Sequence, residues 1–185
     1  PILGRKNEFL LVWTTTPWTL PGNVSIAVNP KIIYSRVKIG EAIYYIARDR
    51  IVPVLGPSTG SGYEVLEEIE GKRLLNVSYK GPFDDLPRVN STRVTNPRAF
   101  HTVISGEDFV TSVDGTGLVH IAPGAGHEDF VLGKKEGLPV ILLIDDNARF
   151  LPDLGKFSGK KWQDPKPIID YLKSSGFLFG EEKIK

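Results

Sequence analysis

The chain has 185 residues, 41% of them hydrophobic and 24% charged, enough apolar material for a packed core and too much for a disordered chain. There is no cysteine, which excludes disulfides and thiolate metal sites, and the net charge of +1 excludes gripping nucleic acid by bulk charge alone. No apolar run approaches the ~20 residues that cross a bilayer, and no basic-then-apolar leader opens the sequence. The chain begins at Pro1 and holds no methionine, so it is expected to be a piece of a longer protein. A cytoplasmic setting with no membrane partner is expected.

Strand signals dominate in chain order. Residues 9–13 are a short apolar run. Residues 24–28 follow a Pro21-Gly22-Asn23 turn. Residues 34–39 and 42–47 flank Gly40-Glu41 and read as a hairpin. Residues 48–55 are expected to form a short helix disturbed by Pro53. Residues 63–69 alternate weakly. Residues 75–97, rich in Gly, Pro, Asn and Ser, read as a long connecting excursion within one domain. Residues 109–112 and 118–121 flank the turn cluster Asp114-Gly115-Thr116-Gly117. A helix is expected over 127–136, stopped by Gly137. Residues 140–144 are fully apolar, which predicts a strand buried on both faces. The last helix starts at Asp164-Pro165, carries Ile168, Ile169 and Leu172 on one face, and stops at Gly176. The expected fold is mainly β, a β-barrel core with a few peripheral helices, α+β by content, and residues 1–185 form a single domain.

Two segments carry the chemistry. In the first, Thr14, Thr15, Thr16 and Thr19 gather hydroxyls where Pro17 disfavours helix at Thr16 and forces a turn. Such a group suits a ribose, an ester carbonyl or a positioned water. A threonine-rich strand end before proline is the plainer alternative. Trp18 beside it walls a pocket or caps a core.

In the second, His120 lies in a strand, Pro123-Gly124-Ala125-Gly126 turns the chain, and Asp129 falls in the first turn of a helix. There the helix dipole favours its ionised form and makes it available to a cation. A helix-capping aspartate and a satisfied core histidine are the plainer alternative. The glycines lack the Gly-Lys-Ser/Thr of a phosphate loop. His120, His127 and Asp129 have no convincing metal spacing, so no metal or other cofactor is expected. No GxSxG elbow is present, which leaves water as the expected nucleophile.

The segments WTTTPWTLPGNVSIAVNP (13–30) and GTGLVHIAPGAGHEDF (115–130) resemble the two motifs of the editing (CP1) domain of isoleucyl-tRNA synthetase, a class I aminoacyl-tRNA synthetase. Related valyl and leucyl domains carry Thr-Arg-Pro-Glu/Asp-Thr at the first position, and the valyl type tends to carry lysine where this chain has His120. Gly137-Leu138-Pro139-Val140, Asp145-Asp146 and Phe157-Ser158-Gly159 also resemble the family. His127 matches no fixed family role, and Gly22 and Ala125 depart beside motif residues. The HIGH and KMSKS signatures are absent, so amino-acid activation is not expected here.

The resemblance implies an aminoacyl-tRNA ester hydrolase that proofreads valyl-tRNA(Ile), and valyl-adenylate with it. Its implied partners are the 3′ end of charged isoleucine tRNA, the valine moiety and the rest of the parent synthetase. Implied catalytic residues are Thr15, His120 and Asp129. Trp18, Thr19 and His120 would wall the side-chain pocket, Asp129 would hold the α-ammonium, and Thr14, Thr15 and Thr16 would hold the ribose and water. Three other readings stay open: a valyl-type domain clearing threonyl-tRNA, a non-catalytic module that binds the tRNA 3′ end, and, third, a metal-dependent hydrolase that a chelator would expose.

Overall fold

A computed structural model describes residues 1–59 and 62–181. The chain folds as two units. One comprises residues 1–14, 25–80 and 101–120, and the other 15–24, 81–100 and 121–185.

The first unit holds two open sheets. The larger has the order β1-β4-β3-β5, built from Glu8–Leu10, Ala42–Ala47, Ile33–Ile39 and Glu64–Glu70. The predicted hairpin is present: β3 and β4 are antiparallel, Ile39 pairs with Ala42, and Gly40 takes φ 58°, as the first residue of a two-residue turn with glycine leading. β5 forms an edge, and Glu64, Glu67, Glu68 and Glu70 lie along it. The smaller sheet has the order β6-β2-β7, from Thr102–Ser105, Ser25–Val28 and Leu118–Ile121, the last residue of β7 beginning the second unit. Tyr34, Tyr45, Ile26, Val28, Val103 and Leu118 share one buried cluster, so both sheets contribute to a single core.

The expected closed barrel is not formed among the described residues. β1 pairs only with β4, and β5 only with β3, leaving both edges of the larger sheet open. The fold is mixed α and β with two open sheets and few helices. Residues 109–112 are not a strand either. Phe109 and Val110 both donate their N–H to the Gly106 carbonyl, closing a turn that apolar composition does not announce. The predicted helix at 48–55 is present as a 3-10 turn (Arg48–Arg50) and α1 (Ile51–Thr59). Pro53 does little harm, since N–H groups of a first helical turn have no partner within the helix.

The excursion at 75–97 passes from the first unit into the second, where it contains a helix, α2 (Pro87–Thr95), which starts at its proline and buries Val89. α3 (His127–Glu136) ends at Gly137 as expected. α4 (Lys166–Ser174) buries Ile168 and Leu172, and the Asp164 carboxylate accepts the Lys166 N–H at 3.1 Å. Phe83, Phe150, Phe157 and Tyr171 pack as an aromatic core, with Phe83 and Tyr171 stacked at 5.1 Å.

Residues 140–144 form no strand. Ile141 and Leu143 are 1% exposed, but Val140 and Leu142 are 43% and 60% exposed. The run is therefore one-sided despite its composition. No helix among the described residues is long and apolar enough to cross a membrane.

Candidate functional site

Each of the two motifs spans a point where the chain passes from one unit to the other, at Thr14–Thr15 and at His120–Ile121. Thr14 and His120 belong to the first unit. Thr15, Thr16, Trp18, Thr19 and Asp129 belong to the second.

In the first unit, a parallel bridge joins Trp13 to Val119, so Thr14 and His120 are the next residues along two paired segments. The turn that leads into β7 is fastened from several sides. Arg50 donates to the carbonyls of Val113 and Gly115 at 2.7 and 2.8 Å. The Ala47 N–H donates to Thr116 O at 2.8 Å, and the Tyr34 hydroxyl to Gly117 O at 2.7 Å. Tyr34 is fully buried, and burial pushes its phenol up to about 12.

His120 is buried in β7. Burial disfavours the imidazolium and pushes its pKa from 6.5 to about 4, so the ring is neutral at physiological pH.

In the second unit, the threonine elbow is a short 3-10 helix, Pro17–Gly22. Thr16 precedes it in a non-helical conformation. Its carbonyl accepts both the Thr19 N–H (3.0 Å) and the Thr19 hydroxyl (2.8 Å). The Thr16 and Thr19 hydroxyl oxygens lie 3.3 Å apart. Thr15 is exposed, Thr16 half-buried and Thr19 buried. Trp18 is half-buried and meets Trp162 edge-on, centroids 6.5 Å apart at 80°.

The elbow ends near the second motif. A Cβ placed on Gly22 would stand 3.6 Å from the Ala122 methyl. The Ala122 N–H donates to Asp129 Oδ2 at 3.0 Å. Ala125 N–H donates to Ala122 O at 2.8 Å, closing the turn between them. Gly124 is required there, because any side chain would collide with the Ile141 carbonyl.

Asp129 sits in the first turn of α3 and is half-buried. Burial raises its pKa above the ordinary 3.8, and the Ala122 N–H pulls it back. The expectation from the helix dipole alone points the other way; desolvation outweighs it. The carboxylate does not cap its own helix but pins the preceding turn. His127 opens the same helix and is exposed. Among the described residues, no three His, Asp or Glu side chains gather as a metal site.

Two contributors escaped the sequence reading. Arg50 fastens the turn before His120 from a distant helix, and Trp162 backs Trp18 from a segment with no periodic signal.

Comparison with known proteins agrees with these motifs. The chain is 41% identical over 184 residues to the isoleucine–tRNA ligase of Saccharolobus islandicus, covering 99% of this chain. It is 41% identical to that of Pyrococcus horikoshii over 96% of the chain, and 36% identical to that of Petrotoga mobilis over its whole length. The chain is thus homologous over nearly its whole length to isoleucine–tRNA ligases. It spans 17 to 19% of the length of these relatives. No protein-family model matches it.

Among solved structures, GlLeuRS-CP1 superposes with a TM-score of 0.66 at 16% identity, covering 97% of this chain and 87% of that one. The editing domain of cytosolic leucyl-tRNA synthetase from P. falciparum superposes with a TM-score of 0.52 at 14% identity, over 73% of this chain and 49% of that one. These establish that the chain has the fold of these editing domains.

Proposed function

We propose that residues 1–185 act as the editing domain of a cytoplasmic isoleucyl-tRNA synthetase, with residues 75–97 a connection inside it. The reaction is hydrolysis of the ester joining valine to the 3′ end of isoleucine tRNA, and of valyl-adenylate. A synthetic pocket for isoleucine gains only about 1–3 kcal/mol against valine, which lacks one methylene. A second pocket too small for isoleucine multiplies that discrimination.

The observation that carries this reading is the state of Asp129. Its carboxylate is half-buried, accepts the Ala122 N–H at Oδ2, and forms no ion pair among the described residues. A desolvated carboxylate of this kind gains from an incoming ammonium. Asp129 then holds the α-amino group of the mischarged residue. Homology to isoleucine–tRNA ligases over 99% of the chain favours valine as that residue.

Thr14, Thr15 and Thr16 hold the terminal ribose and a water molecule, and Thr15, the exposed one, orients the attack. An aminoacyl ester is already activated, so positioning supplies much of the acceleration. Threonine hydroxyls and backbone N–H groups stabilise the oxyanion. His120, neutral and with a depressed pKa, is a weak base near pH 7. It walls the valine pocket with Trp18 and Thr19, and orients water by hydrogen bonding.

The test is release of amino acid from valyl-tRNA(Ile), isoleucyl-tRNA(Ile) and threonyl-tRNA(Val), with and without a chelator. Selective, chelator-resistant release of valine supports the proposal. Binding of charged tRNA without release would make this a tRNA-end-binding module, and preferential release of threonine would make it valyl-type.

A further inference from the structure

The second unit carries a small ladder that the proposed reaction does not use. Ile144 bridges Phe150, and Arg149 bridges Lys161, both antiparallel. Phe150 donates to Lys160 O, and Gly159 to Phe150 O. The loop at its tip is pinned by Asp145, whose Oδ1 accepts the N–H groups of Asn147 and Arg149, each at 2.9 Å. Trp162 closes the ladder by donating its backbone N–H to Ala148 O at 2.9 Å.

The Trp162 side chain then meets Trp18 edge-on. Its Nε1 is buried and has no hydrogen-bond partner among the described residues. A buried indole usually finds an acceptor. Here the ring is held with its polar group unsatisfied, at a cost, which indicates that its shape is what the position uses.

We infer that Trp162 is a positioning residue for the amino-acid pocket: its ring, nearly perpendicular to that of Trp18, seats Trp18, and the ladder pinned by Asp145 seats Trp162. The claim rests on the proposed editing reading, in which Trp18 walls that pocket. The wall is thereby set from residues 145–162, far along the chain from the elbow that bears it. Rejection of isoleucine depends on how far the wall yields, so freeing Trp18 relaxes selectivity before it abolishes hydrolysis.

The experiment compares Trp162→Ala and Trp162→Phe in the 185-residue chain. The readout is kcat/KM for valyl-tRNA(Ile) over that for isoleucyl-tRNA(Ile). Trp162→Ala lowers the ratio by between about twofold and tenfold, the range one edge-to-face aromatic contact spans. Trp162→Phe keeps a ring edge, loses no hydrogen bond and retains the ratio. Asp145→Ala shifts the ratio in the same direction as Trp162→Ala. Where Trp162→Ala does not fold, Trp162→Leu replaces it in the comparison.

A second readout does not depend on turnover. The chain has three tryptophans, so Trp13→Phe combined with either substitution leaves Trp18 as the sole indole. Acrylamide quenches Trp18 more strongly in the variant carrying Trp162→Ala than in the one carrying Trp162→Phe. An unchanged ratio in Trp162→Ala overturns the inference, as does equal loss in the phenylalanine variant or equal quenching. A parent protein that releases neither amino acid sinks the editing reading and the selectivity claim with it. The quenching comparison then still decides whether Trp162 seats Trp18.

Discussion

The Asp129 carboxylate reaches back across the start of its own helix and accepts the Ala122 N–H at 3.0 Å. One side chain thus fixes the turn at residues 122–126 and presents a partly desolvated negative charge. The two duties separate by substitution.

Asp129→Asn keeps an acceptor for Ala122 and removes the charge. Thermal stability should stay near that of the parent, while release of valine from valyl-tRNA(Ile) falls by about a hundredfold, as for loss of a charged hydrogen-bonded contact worth ~2–3 kcal/mol. Asp129→Ala should lose activity equally and also about 1 kcal/mol of stability with the Ala122 bond. An asparagine variant as active as the parent removes the ammonium role.

The pH profile of the same reaction carries a sign. The folded-state pKa of Asp129 lies above 3.8, so the proton leaves later in the folded protein than in the unfolded chain. Ionising it therefore costs stability as pH rises through that window. Catalysis needs the ionised form, so the acid limb of kcat/KM should turn over above pH 3.8. Initial rates across the acid range, with Asp129→Asn as the control that loses this limb, check the direction.

His120 shifts the other way. Its folded pKa of about 4 lies below the ordinary 6.5, so the folded state sheds the proton first. Its contribution to stability is full above pH 6.5 and is lost as pH falls toward 4. Denaturant midpoints across that interval should fall in the parent, and less steeply in His120→Gln. Equal slopes in the two proteins contradict a buried neutral imidazole.

His120→Ala should also open the side-chain pocket. Isoleucyl-tRNA(Ile), spared by the parent, becomes a substrate, and the valine-to-isoleucine ratio drops. Continued sparing of isoleucine in a folded variant removes His120 from the wall.

Gly124 offers a test that no substrate enters. A methyl group there would press on the Ile141 carbonyl, which is backbone and cannot swing aside. Gly124→Ala should cost more than about 2 kcal/mol, measured by denaturant unfolding. Gly56→Ala, whose φ like that of Gly124 is not positive and whose added carbon meets nothing closer than 3.9 Å, controls for the change of residue type alone.

Much of the fold was legible because its signals were local. The Gly40-Glu41 hairpin, β7, α3 and α4 each announce themselves through turn residues, periodicity or caps. α2 did not, since PRVNSTRVT buries only Val89 and shows no apolar stripe. Sheet closure is non-local, and alternation in β5 says nothing about whether a further strand covers it. For the site, Asp129 in a first helical turn was readable from spacing. Its bond to Ala122 was not, because that depends on the Ala122–Ala125 turn and on the backbone of Ile141. Trp162 lies well over a hundred residues from Trp18, and only packing joins them.

The glutamates of β5 do more than decorate an edge. Glu67 is held by Arg36 and Arg73, Glu68 by Arg48 and Glu70 by Lys72, so this edge strand carries a fringe of paired charge along its length. Two copies approaching edge to edge would bring these fringes together, and an intruding strand from a misfolded neighbour would have to displace them. The β5 edge of the larger sheet is thereby insulated from the self-association that an open sheet invites.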